Sequence, residues 1–203
     1  MDSRVGFKAT RDDEAGVSDE LTLPSVPSGL LYADHYEFFV KLPEVGRLKI
    51  RPIQESDAPL LEALFDTLTP HSVYLRFFTY FRQLPPAMLE RFTRIDYSRE
   101  IALVAISREA GEERMVGDAR VVETNLPGTA EFSVLVADAL QGKGIGACLL
   151  QNCLSIAQKR GYERIYGIVL AENRQMLALG RRLGFSIRHI SGSREYELSK
   201  AFE

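Results

Sequence analysis

Tryptophan is missing from this 203-residue chain, cysteine occurs twice and histidine three times. Two cysteines, Cys148 and Cys153, are too few for a disulfide framework. Their spacing inside one helix-like apolar run matches no zinc site, so both are expected as reduced, partly buried thiols. His35, His71 and His189 are scattered, with no acid or thiol at metal-ligand spacing, and no metal is expected. An excess of positive charge is missing as well: 25 Lys and Arg stand against 28 Asp and Glu, a net charge of -3. That balance weighs against a role resting on non-specific affinity for nucleic acid or for an anionic membrane. No stretch approaches the ~18 apolar residues of a membrane span. The charged opening "MDSRVGFKATRDDEAG" has no apolar centre of a secretory signal, so a cytoplasmic location is expected.

What the chain does have is 45% apolar residues and the length for one sizeable core. Residues 1–28 mix charge with Gly, Ser and Pro and read as a flexible tail. Residues 29–45 form an arm whose aromatic stretch "LLYADHYEFFVKL" is suited to dock on the chain's own core or on a partner subunit, as in a homodimer. Regular patterning starts at Gly46, and one domain is expected over 46–203. "RLKIRPI" alternates like a strand, and "ESDAPLLEALFDTL" opens with a Ser/Asp cap and continues at helical spacing. "PHSVYLRFFTYFRQL" and "PPAMLERFTRI" read as two short helices. The stripe Tyr74, Phe77, Phe78, Tyr80 and Phe81 reads as core or as the wall of a substrate cleft.

"EIALVAISR", "ERMVGDARVVET" and "AEFSVLVAD" are three strands separated by turn sequences, hence a meander. A helix from about Ile145 to Arg160, the strand "GYERIYGIVL", a helix "NRQMLALGRRL" stopped at Gly184 and a final pair of strands follow. This order fits an α/β (α+β) domain, one mixed sheet with helices on its faces.

Between the meander and the long helix lies "VADALQGKGIGACLL". A nucleoside triphosphate loop needs Gly-Lys followed by Ser or Thr, whereas Lys143 is followed by Gly144. Gly142, Gly144 and Ala147 match the dinucleotide pattern, but the motif comes late in the chain and the next strand ends in Leu170 rather than an acid. In a third reading, the N–H groups of 142–146 point into a hollow at a helix N-terminus, where the dipole favours an anion. Glycines let a pyrophosphate lie against the main chain there, which suits coenzyme A.

The stretch "EFSVLVADALQGKGIGACLLQNCLSIAQKRGYERIYGIVLAENRQMLALGRRLGF" resembles the core of the GNAT acyltransferase superfamily, whose signature Q/R-x-x-G-x-G/A is met by Gln141, Gly144 and Gly146. Upstream, "IRPIQESDAPLLEALFDTLTPHSVYLRFFTYFRQL" is similar, more narrowly, to the catalytic domain of bacterial Pat-type protein lysine acetyltransferases. The resemblance implies the GNAT fold: a mixed, mostly antiparallel central sheet with helices on both faces, its fourth and fifth family strands splayed into a cofactor cleft. It implies acetyl-CoA as cosubstrate and no metal. The coenzyme would be held by Val134, Leu135, Val136, Gln141, Gly142, Lys143, Gly144, Ile145, Gly146 and Asn173, the last also being a good helix cap.

Lysine, with a pKa near ~10.4, is mostly ammonium at neutral pH and cannot attack a thioester until a base takes its proton. Glu131, in the strand just before the loop and ten residues before Gln141, is the implied base, with Glu123 and Glu100 as runners-up. Free main-chain groups near Leu135 and Val136 would meet the acyl carbonyl. Many family members carry a tyrosine acid seven residues after the asparagine; here that position is Gly180, so water would protonate the thiolate. The implied reaction is acetyl transfer to the ε-amine of a protein lysine, with an acyl-CoA synthetase as the usual partner. The alternatives are a small-molecule amine or amino acid as acceptor, or a non-catalytic acyl-CoA sensor. An acidic pocket built from Leu60 to Arg94 would favour a polyamine, an open groove a lysine on a folded protein.

Overall fold

The computed structural model describes residues 36–202, so the expected tail over 1–28 and the first part of the arm lie outside the described residues. Among the described residues eight strands form one sheet: β1 (Phe38–Leu42), β2 (Gly46–Pro52), β3 (Glu100–Glu109), β4 (Glu112–Glu123), β5 (Thr129–Val136), β6 (Arg164–Leu170), β7 (Ser186–His189) and β8 (Glu195–Ala201). Their spatial order is β1-β2-β3-β4-β5-β6-β8-β7. Every neighbouring pair is antiparallel except β5 and β6, which run parallel because a helix crosses between them. The helices are α1 (Ala58–Asp66), α2 (Pro70–Phe77), α3 (Pro86–Thr93), α4 (Ile145–Lys159) and α5 (Arg174–Arg182).

The sheet separates two apolar cores. Ala119 and Val121 of β4 meet Leu149, Leu150 and Cys153 of α4 on one face, while Ala102, Val104 and Ile106 of β3 meet Leu61, Leu64 and Phe65 of α1 on the other. Covered on both faces, β3 carries the unbroken apolar run "IALVAI" instead of an alternation. Both cysteines are buried free thiols, and desolvation pushes Cys148 up to about 11, which leaves it protonated and inert at neutral pH.

The described part of the arm docks on this chain's own core. Tyr36 is buried and donates to Asn152 Oδ1 on α4 at 2.6 Å, and β1 joins the sheet edge through β2. Helix α2 starts with Thr69, whose Oγ1 accepts the Ser72 N–H at 3.2 Å, and with Pro70 in the first turn. The Thr69 N–H donates in turn to Asp138 Oδ2 at 2.8 Å, in the segment leading from β5 to α4, and this long-range bond seats α2 over β5. The helix stops at Phe78, whose φ of 59° is left-handed.

Charge is buried beneath α2 and α3. Arg120 of β4 is 2% exposed and bonds Asp118 Oδ2 at 2.9 Å and Glu100 Oε1 at 3.2 Å, with its guanidinium 4.7 Å from the Phe92 ring centre. Arg91 of α3 reaches Glu100 Oε2 at 2.7 Å. Removing one member of a buried ion cluster costs more than the cluster contributes, because the partners stay charged in a dry site. Arg120→Ala is therefore expected to lower unfolding free energy by about 3–5 kcal/mol. Urea denaturation followed by circular dichroism measures this; a loss below about 1 kcal/mol would mean that water already solvates the two acids.

Candidate active site

Strands β5 and β6 pair only over Thr129–Glu131 and Arg164–Tyr166. Beyond that the Phe132 ring lies over Gly167, where an added Cβ would stand 2.7 Å from the ring, and the ring packs on Phe185 at 4.9 Å between centroids. From this point the strands separate, and a cavity of about 620 Å³ occupies the gap. Its walls come from β5, α2 and the first turn of α5, and one end is closed by the glycine loop.

The hydrogen-bond parity of β5 decides which main-chain groups enter the gap. Ala137 N–H bonds to Val116 O of β4 at 3.1 Å, and Thr124 N–H bonds to Thr129 O at 3.0 Å, so odd-numbered β5 residues pair with β4. Val134 and Val136 consequently turn their N–H groups toward β6 and the cavity. Of the main-chain groups near Leu135 and Val136 that the resemblance implies for the acyl carbonyl, the N–H of Val136 faces the cavity and that of Leu135 faces β4, although the Leu135 side chain lines the cavity.

Side chains alternate in the same way. Glu131, Ser133 and Leu135 face α2, while Val134 and Val136 face α4. Glu131 is exposed and lines the cavity. The runner-up bases lie elsewhere: Glu100 is locked in the ion cluster with Arg120 and Arg91, and Glu123 pairs with Arg99 at 3.4 Å. Neither lines the cavity.

In the loop, Gly142 and Gly144 have φ of 77° and 93°, values an L side chain rarely adopts. Gly144 is the N-cap of α4, so the free N–H groups of that helix open toward the cavity. A Cβ on Gly146 would come within 3.3 Å of Val134 Cγ1, which keeps the helix start close to β5. Gln141 braces the loop through Nε2, donating to Asp138 Oδ1 at 2.8 Å and to Val136 O at 3.3 Å. The side chains of Lys143 and Ile145 do not reach the cavity; Ile145 is buried in the core beside Gly117. Asn173 caps α5, accepting the Met176 N–H at 3.0 Å, and also lines the cavity. Gly180 faces the sheet, where a Cβ would stand 2.4 Å from Leu198 Cδ2, and no tyrosine lines the cavity among the described residues.

Sequence reasoning singled out nothing on α2 except its aromatic stripe. Phe77 and Phe81 pack against the core, Tyr74 stacks on the exposed Tyr80 at 4.9 Å, and Phe78 stands at the cavity wall. The residues it passed over are Ser72 and Arg76, one helical turn apart on the side facing β5. Arg76 Nη2 donates to Ser133 Oγ at 2.8 Å. The available signal was Ser133 itself, a polar residue amid the apolar run "FSVLV" of a central strand.

A parallel strand pair opened into a cleft, with an anion-receiving helix start at one end and a carboxylate at the other, defines an acyltransferase built for a coenzyme A thioester. The glycine cradle and the unpaired β5 main chain fit that group. The chain belongs to the acetyltransferase (GNAT) domain family, which it matches over residues 47–186, and it is a GNAT-family N-acetyltransferase. It is 34% identical over 136 residues to an acetyltransferase of Pseudomonas aeruginosa, covering 67% of this chain and 73% of that one. Among solved structures it is similar to the GNAT domain of the PAT protein of S. lividans, with 27% identity and a TM-score of 0.74 over 83% of this chain and 98% of that one. An L-methionine sulfoximine/L-methionine sulfone acetyltransferase of Pseudomonas aeruginosa shares 39% identity over 71 residues, 35% of this chain and 41% of that enzyme. No helix among the described residues is long and apolar enough to cross a membrane.

Replacing Gly144 with alanine forces an L side chain to φ 93° at the helix start. The strain, of order 1–3 kcal/mol, falls on the loop that faces the anion. Calorimetric titration of Gly144→Ala with acetyl-CoA is expected to give a Kd raised about tenfold or more. Wild-type affinity in a folded variant would remove the loop from coenzyme binding.

Proposed function

We propose that this enzyme transfers an acetyl group from acetyl-CoA to the ε-amine of a protein lysine, by direct attack with Glu131 as general base. The observation that carries the reading is that Glu131, the unpaired β5 main chain and the glycine loop all border one cavity. When bound, acetyl-CoA supplies an acyl group activated as a thioester. The loop N–H groups and the start of α4 receive its diphosphate. The N–H groups of Val134 and Val136 are the donors available to the acyl carbonyl, where negative charge develops. Glu131 takes the proton of the incoming ammonium, directly or through a water, and so exposes the lone pair that attacks. The departing thiol has an ordinary pKa near ~8.5, so its protonation by water is sufficient.

Two observations support a protein lysine as acceptor. The stretch from Leu60 to Arg94 contributes His71, Ser72, Leu75, Arg76 and Phe78 to the cavity and no carboxylate, which disfavours a polyamine. The likeness to the GNAT domain of the S. lividans PAT protein extends over nearly all of that domain. An acyl-CoA synthetase is the partner this reading implies. The segment shared with the methionine sulfoximine enzyme favours a second reading, a free amino acid as acceptor.

The test follows thiol release from acetyl-CoA together with mass-spectrometric mapping of acetylated lysines on an acyl-CoA synthetase. Wild type is expected to modify a specific lysine in step with thiol release, and Glu131→Gln to lose about 10²–10⁴-fold in kcat while still binding acetyl-CoA. Full turnover in the variant with an unmoved pH optimum would sink the base assignment. Acetylation of small amines alone would sink the protein substrate.

A further inference from the structure

Arg76 is a cation in the wrong place for an enzyme that merely receives an ammonium. It lies on the acceptor side of the cavity, partly buried, with one hydrogen bond, to Ser133, and a ring contact with Phe77 at 4.8 Å. No carboxylate forms an ion pair with it among the described residues. Burial pulls it down to about 10 although Asp118 and Glu131 act favourably on it, and it stays cationic at neutral pH.

Asp118 and Glu131 act favourably on Arg76 and Arg120 opposes it, while Arg120 is itself held by Asp118 and Glu100. An incoming ammonium adds a further positive charge to this half-dry site, which is costly unless an anion accompanies it. Ser133, which holds Arg76, follows Glu131 by two residues on the same face of β5, a separation of about 6.6–6.8 Å along the strand. An amine at Glu131 and an anion at Arg76 would therefore belong to neighbouring groups of one acceptor. A guanidinium with unused donors is the group that binds a carboxylate with two parallel bonds.

We propose that Arg76 is a specificity residue for the acceptor: the amine that this enzyme acetylates is presented with a carboxylate beside it, Glu131 facing the amine and Arg76 the carboxylate. This rests on the proposed transfer to an amine and narrows it. For a protein substrate the carboxylate is an Asp or Glu next to the target lysine; for a free amino acid it is the α-carboxylate.

The experiment compares acid and amide versions of the same acceptor. One series is lysine heptapeptides with Asp or Asn beside the lysine; the other is L-methionine sulfone and its carboxamide. In one of the two series, wild type is expected to prefer the acid at least tenfold in kcat/KM, and the series that shows it identifies the source of the carboxylate. Arg76→Gln is expected to bring that ratio close to one, chiefly through KM, and Arg76→Lys to keep part of it. Because the ratio is taken within each variant, a general loss of activity cancels, and acetyl-CoA titration confirms that each variant is folded. Equal use of acid and amide by wild type in both series overturns the proposal, as does a preference that survives Arg76→Gln. A variant that loses both acceptors equally also overturns it, since Arg76 would then serve the thioester. If nothing is acetylated, the transfer reading fails by itself. Calorimetric titration of the same acid and amide compounds into the coenzyme A-bound protein then decides the proposal, and equal binding overturns it.

Discussion

Everything functional in this molecule depends on β5 and β6 ceasing to pair. A parallel pair would normally continue to the strand ends, since each unmade bond leaves two main-chain groups without partners. Here Phe132 occupies the space above Gly167 that a side chain of β6 would need, and is held there by Phe185. The ring gains apolar burial on the α5 side, and the strands part beside it. On the proposed reading, a cosubstrate with its own amides and carbonyls completes the groups left open. The gap between the strands is held open by ring packing, and the glycine loop closes its end.

The cost of the site is electrostatic. Beneath α2 and α3 the protein buries Arg120 with two acids, and Asp118 Oδ1 and Arg120 Nη2 remain without partners among the described residues. Replacing such clusters by apolar side chains often stabilises a protein, so stability alone gives no reason to keep this one. Its position gives one. Arg120 lies directly across from Ser133, and Ser133 holds Arg76 at the cavity wall. Asp118 acts favourably on Arg76, while Arg120 opposes it. The buried ions thus act on Arg76 at the cavity wall.

Much of this was legible in the sequence, and the illegible parts share a cause. The glycine loop, the helix beginning at Ile145 and the carboxylate of Glu131 are local signals, carried by residues within fifteen positions of one another. The strands of the meander followed from the turn sequences that separate them. Arg76 was hidden because nothing local brings it to β5; its place depends on the bond from Thr69 N–H to Asp138, 69 residues away. The arm was ambiguous for the same reason, since Tyr36 finds Asn152 across 116 residues. Which of the main-chain groups near Leu135 and Val136 open to the cavity was not legible, because parity in a strand is set by its neighbour's register, which a single strand does not reveal. Gly180 was read as a missing tyrosine; the contact with Leu198 shows a packing requirement at that position.

Under the proposed transfer, the alternation of β5 lets one strand serve two substrates. Val134 and Val136 turn their side chains to Gly146 and the start of α4, which is the donor side. Glu131 and Ser133 turn theirs to α2, which is the acceptor side. Because side chains alternate with a period of two, changes at odd positions alter what is acetylated and changes at even positions alter what donates, with little steric communication between them. On the proposed reading, acceptor choice is free to change on α2 and the odd positions of β5 while the coenzyme cradle stays as it is.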